Sequence, residues 1–93
     1  MDEYEISYAK KFKSSHRKLV RSGRFDISKL DRIIMLLSEG KPLDVQCHDH
    51  ALTGDWSGYR ECHVYGDILL IYKVEGNCLA LSYLGTHAQL FGM

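Results

Sequence analysis

Gly54-Asp55-Trp56-Ser57-Gly58-Tyr59-Arg60-Glu61-Cys62-His63-Val64-Tyr65-Gly66-Asp67, followed by Ile68-Leu69-Leu70-Ile71-Tyr72-Lys73, reads as a β-hairpin with Gly66 at its tip. Side chains on a strand alternate between faces. Tyr59, Glu61, His63 and Tyr65 therefore share one face of the first strand, and Arg60, Cys62 and Val64 share the other. The second strand, Asp67 to Val74, is apolar on both faces at Ile68 to Ile71, the mark of a central strand. One side of the hairpin is core. The opposite side carries an acid, an imidazole and two phenols, and is the candidate working surface.

Working outward, Tyr4 to Tyr8 predicts a short first strand. Ser7 is the expected N-cap of a helix that runs to about Ser22 and stops at Gly23. Its apolar positions are Phe12, Leu19 and Val20, with His16 filling the stripe as half-buried packing. A second helix is capped by Asp26. Its Ile27, Leu30, Ile33, Ile34 and Leu37 recur at spacings of three and four, and Gly40 and Pro42 end it. The short link makes the pair an antiparallel helix hairpin. Leu43 to Leu52 predicts an extended loop with a short strand near His50 to Leu52, and Trp56 is expected as a core or rim anchor. Beyond the central hairpin, Glu75-Gly76-Asn77 is a turn, Cys78 to Leu84 a last strand, and Thr86 to Phe91 a short turn or strand end.

The order β-α-α-β-β-β predicts an α+β fold: a two-layer sandwich, its antiparallel meander sheet covered on one face by the helix hairpin. With Cys62 and Val64 toward the helices, Glu61 and His63 project into a partly open second face. At 93 residues the chain makes one domain, residues 1–93, with a thin core.

Composition narrows the class. Formal net charge is zero, yet Lys10, Lys11, Lys13, Arg17, Lys18, Arg21 and Arg24 fall in one stretch without an acid. Acids gather from Asp44 to Asp67. A basic helix on a neutral protein suits a polyanion or an acidic partner, although such a face is more often merely solvated. The three cysteines are an odd count without CxxC spacing, which argues against a disulfide framework or a zinc ribbon. No apolar run has the length of a membrane span, and the N-terminus is not a signal peptide. The expected compartment is the cytoplasm.

Of five histidines, His48, His50, His63 and His87 lie in the C-terminal half, with Asp49, Glu61 and Asp67 among them. Imidazole suits proton transfer near neutral pH. Metal-free RNA cleavage needs a base for the ribose 2′-hydroxyl, a cation beside the phosphorane and an acid for the departing 5′-oxygen. Two histidines, a carboxylate and a Lys or Arg supply these roles. The same residues offer zinc ligands, but no spacing here matches a zinc motif, and no metal or other cofactor is expected. A lone surface histidine is usually inert, and His48 is read that way.

Asp49-His50-Ala51-Leu52, the hairpin itself, and Gly85-Thr86-His87-Ala88-Gln89-Leu90-Phe91-Gly92 together resemble YafQ-type toxins of the RelE/ParE superfamily, the toxin half of bacterial type II toxin–antitoxin pairs. The resemblance implies a RelE-like fold and an mRNA endoribonuclease that cuts ribosome-bound messages without metal. It also implies neutralisation by a cognate antitoxin, through which the complex sits on operator DNA. Carried over residue by residue, the catalytic histidines fall on His50, His63 and His87 and the catalytic aspartate on Asp67, which would hold an imidazole in place. Phe91 matches an aromatic position linked to activity and could stack on a base. Glu61 stands where the family has an aspartate, one methylene longer. Arg60 and Lys73 are expected phosphate contacts, with Arg60 reaching round the sheet edge. Lys10, Lys11, Lys13, Arg17, Lys18 and Arg21 would face rRNA or the antitoxin. The competing reading is a non-catalytic inhibitor like the ParE branch, which lacks this histidine set.

Overall fold

The computed structural model describes residues 3–91, without the side chain of Phe91. Five strands form one sheet in the order β1-β5-β4-β3-β2: β1 Glu5–Tyr8, β2 His50–Ala51, β3 Arg60–Tyr65, β4 Ile68–Glu75 and β5 Cys78–Gly85. As its apolar run predicts, β4 is central, antiparallel to β3 and to β5. The sheet is not a pure meander, however. β1 lies parallel to β5, Glu5 opposite Cys78 and Tyr8 opposite Leu81. The helix pair carries the chain across the sheet before β2 begins, so β1 is left to pair with the last strand.

Helices α1 (Lys10–Ser22) and α2 (Ile27–Ser38) cover one face. Ser7 does not cap α1. β1 extends through Tyr8, and Ala9 takes the cap position without a side-chain bond. Gly23 ends α1 in the left-handed region at φ 67°, where a Cβ is costly. Asp26 caps α2 as expected, accepting from the Ser28 amide at 3.1 Å and the Ser28 hydroxyl at 2.6 Å. Phe12, Leu30, Ile33 and Leu37 pack on Cys62, Val64, Leu70, Tyr72, Leu79, Leu81 and Leu84 in one core. Val20, by contrast, is 48% exposed, whereas His16 is half-buried and stacks on Phe12 at 5.7 Å.

The second face is less open than its sequence predicts. Leu69 and Ile71 point away from the helices and are still fully buried. A β-bulge between His63 and Tyr65 breaks the alternation of β3. Tyr65 consequently turns to the helix side, packs on Phe25 at 5.1 Å and donates to the Asp26 carbonyl. Trp56 is a rim anchor, edge-on to Tyr59 at 5.4 Å and to Tyr83 at 5.2 Å. Among the described residues no helix is long and apolar enough to cross a membrane.

Candidate active site

Four elements converge on Glu61. It sits in β3, opposite Ile71 of β4 on one side and His50 of β2 on the other. Its carboxylate is the one buried charged group among the described residues, at 3% exposure. A carboxylate withdrawn from water needs partners, and two imidazoles provide them. His50 Nε2 lies 3.3 Å from Glu61 Oε1, and His87 Nε2 lies 3.5 Å from Glu61 Oε2. Both rings are half-exposed, so Glu61 is the floor and the histidines are the rim. The extra methylene of Glu over Asp lets one carboxylate span both rings.

His87 is delivered by α3 (His87–Phe91), a short helix in place of the expected turn. Its start is a capping box. The Gln89 amide donates to Thr86 Oγ1 at 3.1 Å, and the Thr86 amide donates to Gln89 Oε1 at 2.9 Å. The signal for it was present as Thr86-His87-Ala88-Gln89. His63 follows Glu61 by two residues on β3 and shares its face. Its ring centroid lies 6.4 Å from that of His87 and 5.5 Å from that of His48.

His48, set aside on sequence grounds, therefore belongs to the cluster. It ends a 3₁₀ turn, Val45–Cys47, in the left-handed region at φ 49°, a conformation that costs a non-glycine residue roughly 1–2 kcal/mol. Its carbonyl takes a 2.6 Å bond from His50 Nδ1. The alternation in His48-Asp49-His50 was the available signal: the two imidazoles on one side, the carboxylate on the other.

Not every expected site residue is seen in this set of contacts. Asp67 is exposed in the β3–β4 turn and makes no hydrogen bond or ion pair with an imidazole among the described residues. Glu61 is the carboxylate in contact with His50 and His87. Arg60 faces the helix side, as strand parity requires. Its Nε donates to Asp49 Oδ1 and to the Tyr72 hydroxyl, both at 3.3 Å. Lys73 sits 5.0 Å over the Tyr59 ring and 3.2 Å from Glu75. Phe91 closes α3, and its side chain lies outside the described residues. Lys10, Lys11, Lys13, Arg17, Lys18 and Arg21 are all exposed along α1, with Lys11 5.4 Å over Tyr83. No set of three or more His, Cys, Asp or Glu side chains among the described residues is arranged to hold a metal ion.

A half-exposed rim of imidazoles on a buried carboxylate can give up a proton on one side and accept one on the other. Known proteins resemble this chain in sequence and in fold. The family model described as "Bacterial toxin of type II toxin-antitoxin system, YafQ" matches residues 4–92. The mRNA interferase toxin YafQ of Escherichia coli (strain K12) is 38% identical over 93 residues, covering 99% of this chain and 100% of that one. Two solved structures agree over nearly the whole chain. A copper-bound mutant toxin from Helicobacter pylori has TM-score 0.90 at 41% identity, covering 95% of this chain and 99% of that one. A chain of the E. coli DinJ-YafQ toxin-antitoxin complex has TM-score 0.82 at 38% identity, covering 97% and 99%. A match along essentially the full length, in sequence and in fold, places the chain in the YafQ family of bacterial type II toxin–antitoxin toxins.

Proposed function

We propose that residues 1–93 form a single RelE-like toxin domain, a cytoplasmic endoribonuclease that cuts mRNA on the ribosome and is silenced by a cognate antitoxin. The carrying observation is the carboxylate of Glu61 seated between His50 and His87 with His63 beside them. In the proposed reaction one of His50 and His87 takes the proton of the ribose 2′-hydroxyl. The 2′-oxygen attacks the adjacent phosphorus. The bond from phosphorus to the 5′-oxygen breaks, and the other imidazole protonates that oxygen. The products are a 2′,3′-cyclic phosphate and a 5′-hydroxyl. Glu61 orients both rings, and His63 lies close enough to bind the phosphate. Each positioned acid or base of this kind contributes roughly 10²–10⁴-fold.

The name mRNA interferase carried by the E. coli relative supports the substrate, and the DinJ-YafQ complex supports an antitoxin partner. The exposed basic face of α1 suits rRNA phosphates or an acidic antitoxin segment. Operator DNA would be reached through the antitoxin. Expression of the wild type is expected to arrest growth and cleave messages. His63→Ala and His87→Ala are expected to relieve both while remaining folded by circular dichroism. Full toxicity in both variants rejects the reading, and arrest with intact messages favours a ParE-like inhibitor. Cleavage that persists in chelator sets aside a metal-dependent reading, which the copper-bound and metal-bound relatives from Helicobacter pylori recommend.

A further inference from the structure

The loop that delivers His50 is held from the opposite face of the sheet. Asp49 and His50 are consecutive, so on extended backbone they point to opposite faces. His50 pairs with Glu61 and shares its side. Asp49 reaches the helix side, where Arg60 and Tyr72 are cross-strand partners. There the Tyr72 hydroxyl donates to Asp49 Oδ1 at 2.5 Å. The Arg60 Nε–H points at both that oxygen and the Tyr72 hydroxyl. Tyr72 is 2% exposed. Burial first, and then the bond to Asp49, push its phenol well above the usual range, so it stays a donor. Arg60 is likewise held further toward its charged form, chiefly by the bond to Tyr72. Three groups thus close on one another beneath the loop, on the face of the sheet opposite Glu61.

The consequence travels through two backbone steps. Asp49 fixes the chain between two imidazoles. On its upstream side His48 is bent into the left-handed region, and this turns the His48 carbonyl onto His50 Nδ1. A carbonyl and a carboxylate both only accept, so Nδ1 donates to the His48 carbonyl and Nε2 pairs with Glu61 when it too carries a proton. The grip on the far side of the sheet thus bears on the His50 ring through the His48 carbonyl, alongside the contact to Glu61.

We propose that Asp49, gripped by Tyr72 and Arg60, is the positioning residue that sets the ring orientation of His50. Arg60 then serves the loop and not the substrate phosphate. The kinetic test rests on the ribonuclease reading; the spectroscopic test does not. In the full-length protein, Tyr72→Phe removes one hydroxyl and keeps the core shape. It is expected to lower kcat about 10- to 100-fold, the cost of a misplaced catalytic group, with KM unchanged. The ¹⁵N ring signals of His50 are expected to shift as its Nδ1 bond to the His48 carbonyl loosens, with those of His16 on α1 unaffected. Asp49→Asn keeps an acceptor for Tyr72 and is expected to retain more of the rate than Asp49→Ala. An Arg60 that bound phosphate would instead raise KM in Arg60→Ala. Wild-type kcat and unchanged His50 signals in Tyr72→Phe overturn the proposal. If the wild type cuts no RNA, the ribonuclease reading has failed and the His50 signals alone decide the positioning claim.

Discussion

Glu61 joins a buried charge to two wet partners, and this separates its effect on stability from its effect on chemistry. A buried ion pair adds little net stability, because desolvation offsets the attraction. Orientation of the two rings has no such offset. Glu61→Gln keeps the volume and one acceptor oxygen, but no longer presents a carboxylate oxygen to each imidazole. We expect it to reduce RNA cleavage by about 10²-fold or more, within the range for acid–base groups, while the urea midpoint barely moves. A large loss of stability with activity retained would show that Glu61 serves the fold and not the reaction. The resemblance pointed to this position as a carboxylate. Its reach to both rings follows from the longer side chain, and could be seen only with His50 and His87 in place.

The helices differ in how they are started, and each start carries a prediction. α2 begins at Asp26, whose carboxyl is held below the usual carboxylate range first by the Ser28 hydroxyl and then by the Ser28 amide. A lowered folded-state value means the cap's contribution is fully present above the unfolded carboxylate range and is lost as pH falls from there through the lowered folded-state value. Asp26→Asn, which caps nearly as well, is expected to flatten the acid side of a melting-temperature profile between neutral and acidic pH. An unchanged acid limb would remove Asp26 from the account. α3 begins at the Thr86–Gln89 box and carries His87 as its first residue. Gln89→Ala is expected to cost about 1 kcal/mol, the usual size of a lost cap, and to lower kcat by loosening His87. Gly85→Ala acts at the same point, since a Cβ there would meet Gln89 Oε1 at 2.6 Å. Normal activity in both variants would mean that His87 is held by something other than its helix start.

Across the whole molecule, the basic side chains of α1 lie along the helix layer, and Lys11 reaches the ring of Tyr83, a cross-strand partner of Ile71 on the Glu61 face. If α1 meets rRNA, binding to ribosomes should weaken steeply with salt, because each neutralised phosphate releases counterions. Arg17→Glu with Lys18→Glu is expected to flatten that dependence in a sedimentation assay, leaving the fold and the Glu61 pocket intact. An unchanged salt slope would move the ribosome contact off α1.

What could be read from the chain alone was local. Spacings of three and four marked α2, alternation marked β3, the apolar run marked β4 as central, and a run of lysines and arginines marked an exposed helix. Each is a pattern within one element, set by the geometry of that element. Tertiary structure decided the rest. It set β1 beside β5, turned Tyr65 to the core through a one-residue bulge, and brought His48 into the cluster. It also joined Asp49 to Tyr72, which is 23 residues away along the chain. Contacts between distant segments depend on which surfaces must be buried together, and no periodicity within a segment records its partner. That is why the candidate histidines could be named from the sequence, whereas the contacts they make with Glu61 and with one another were seen only in the fold.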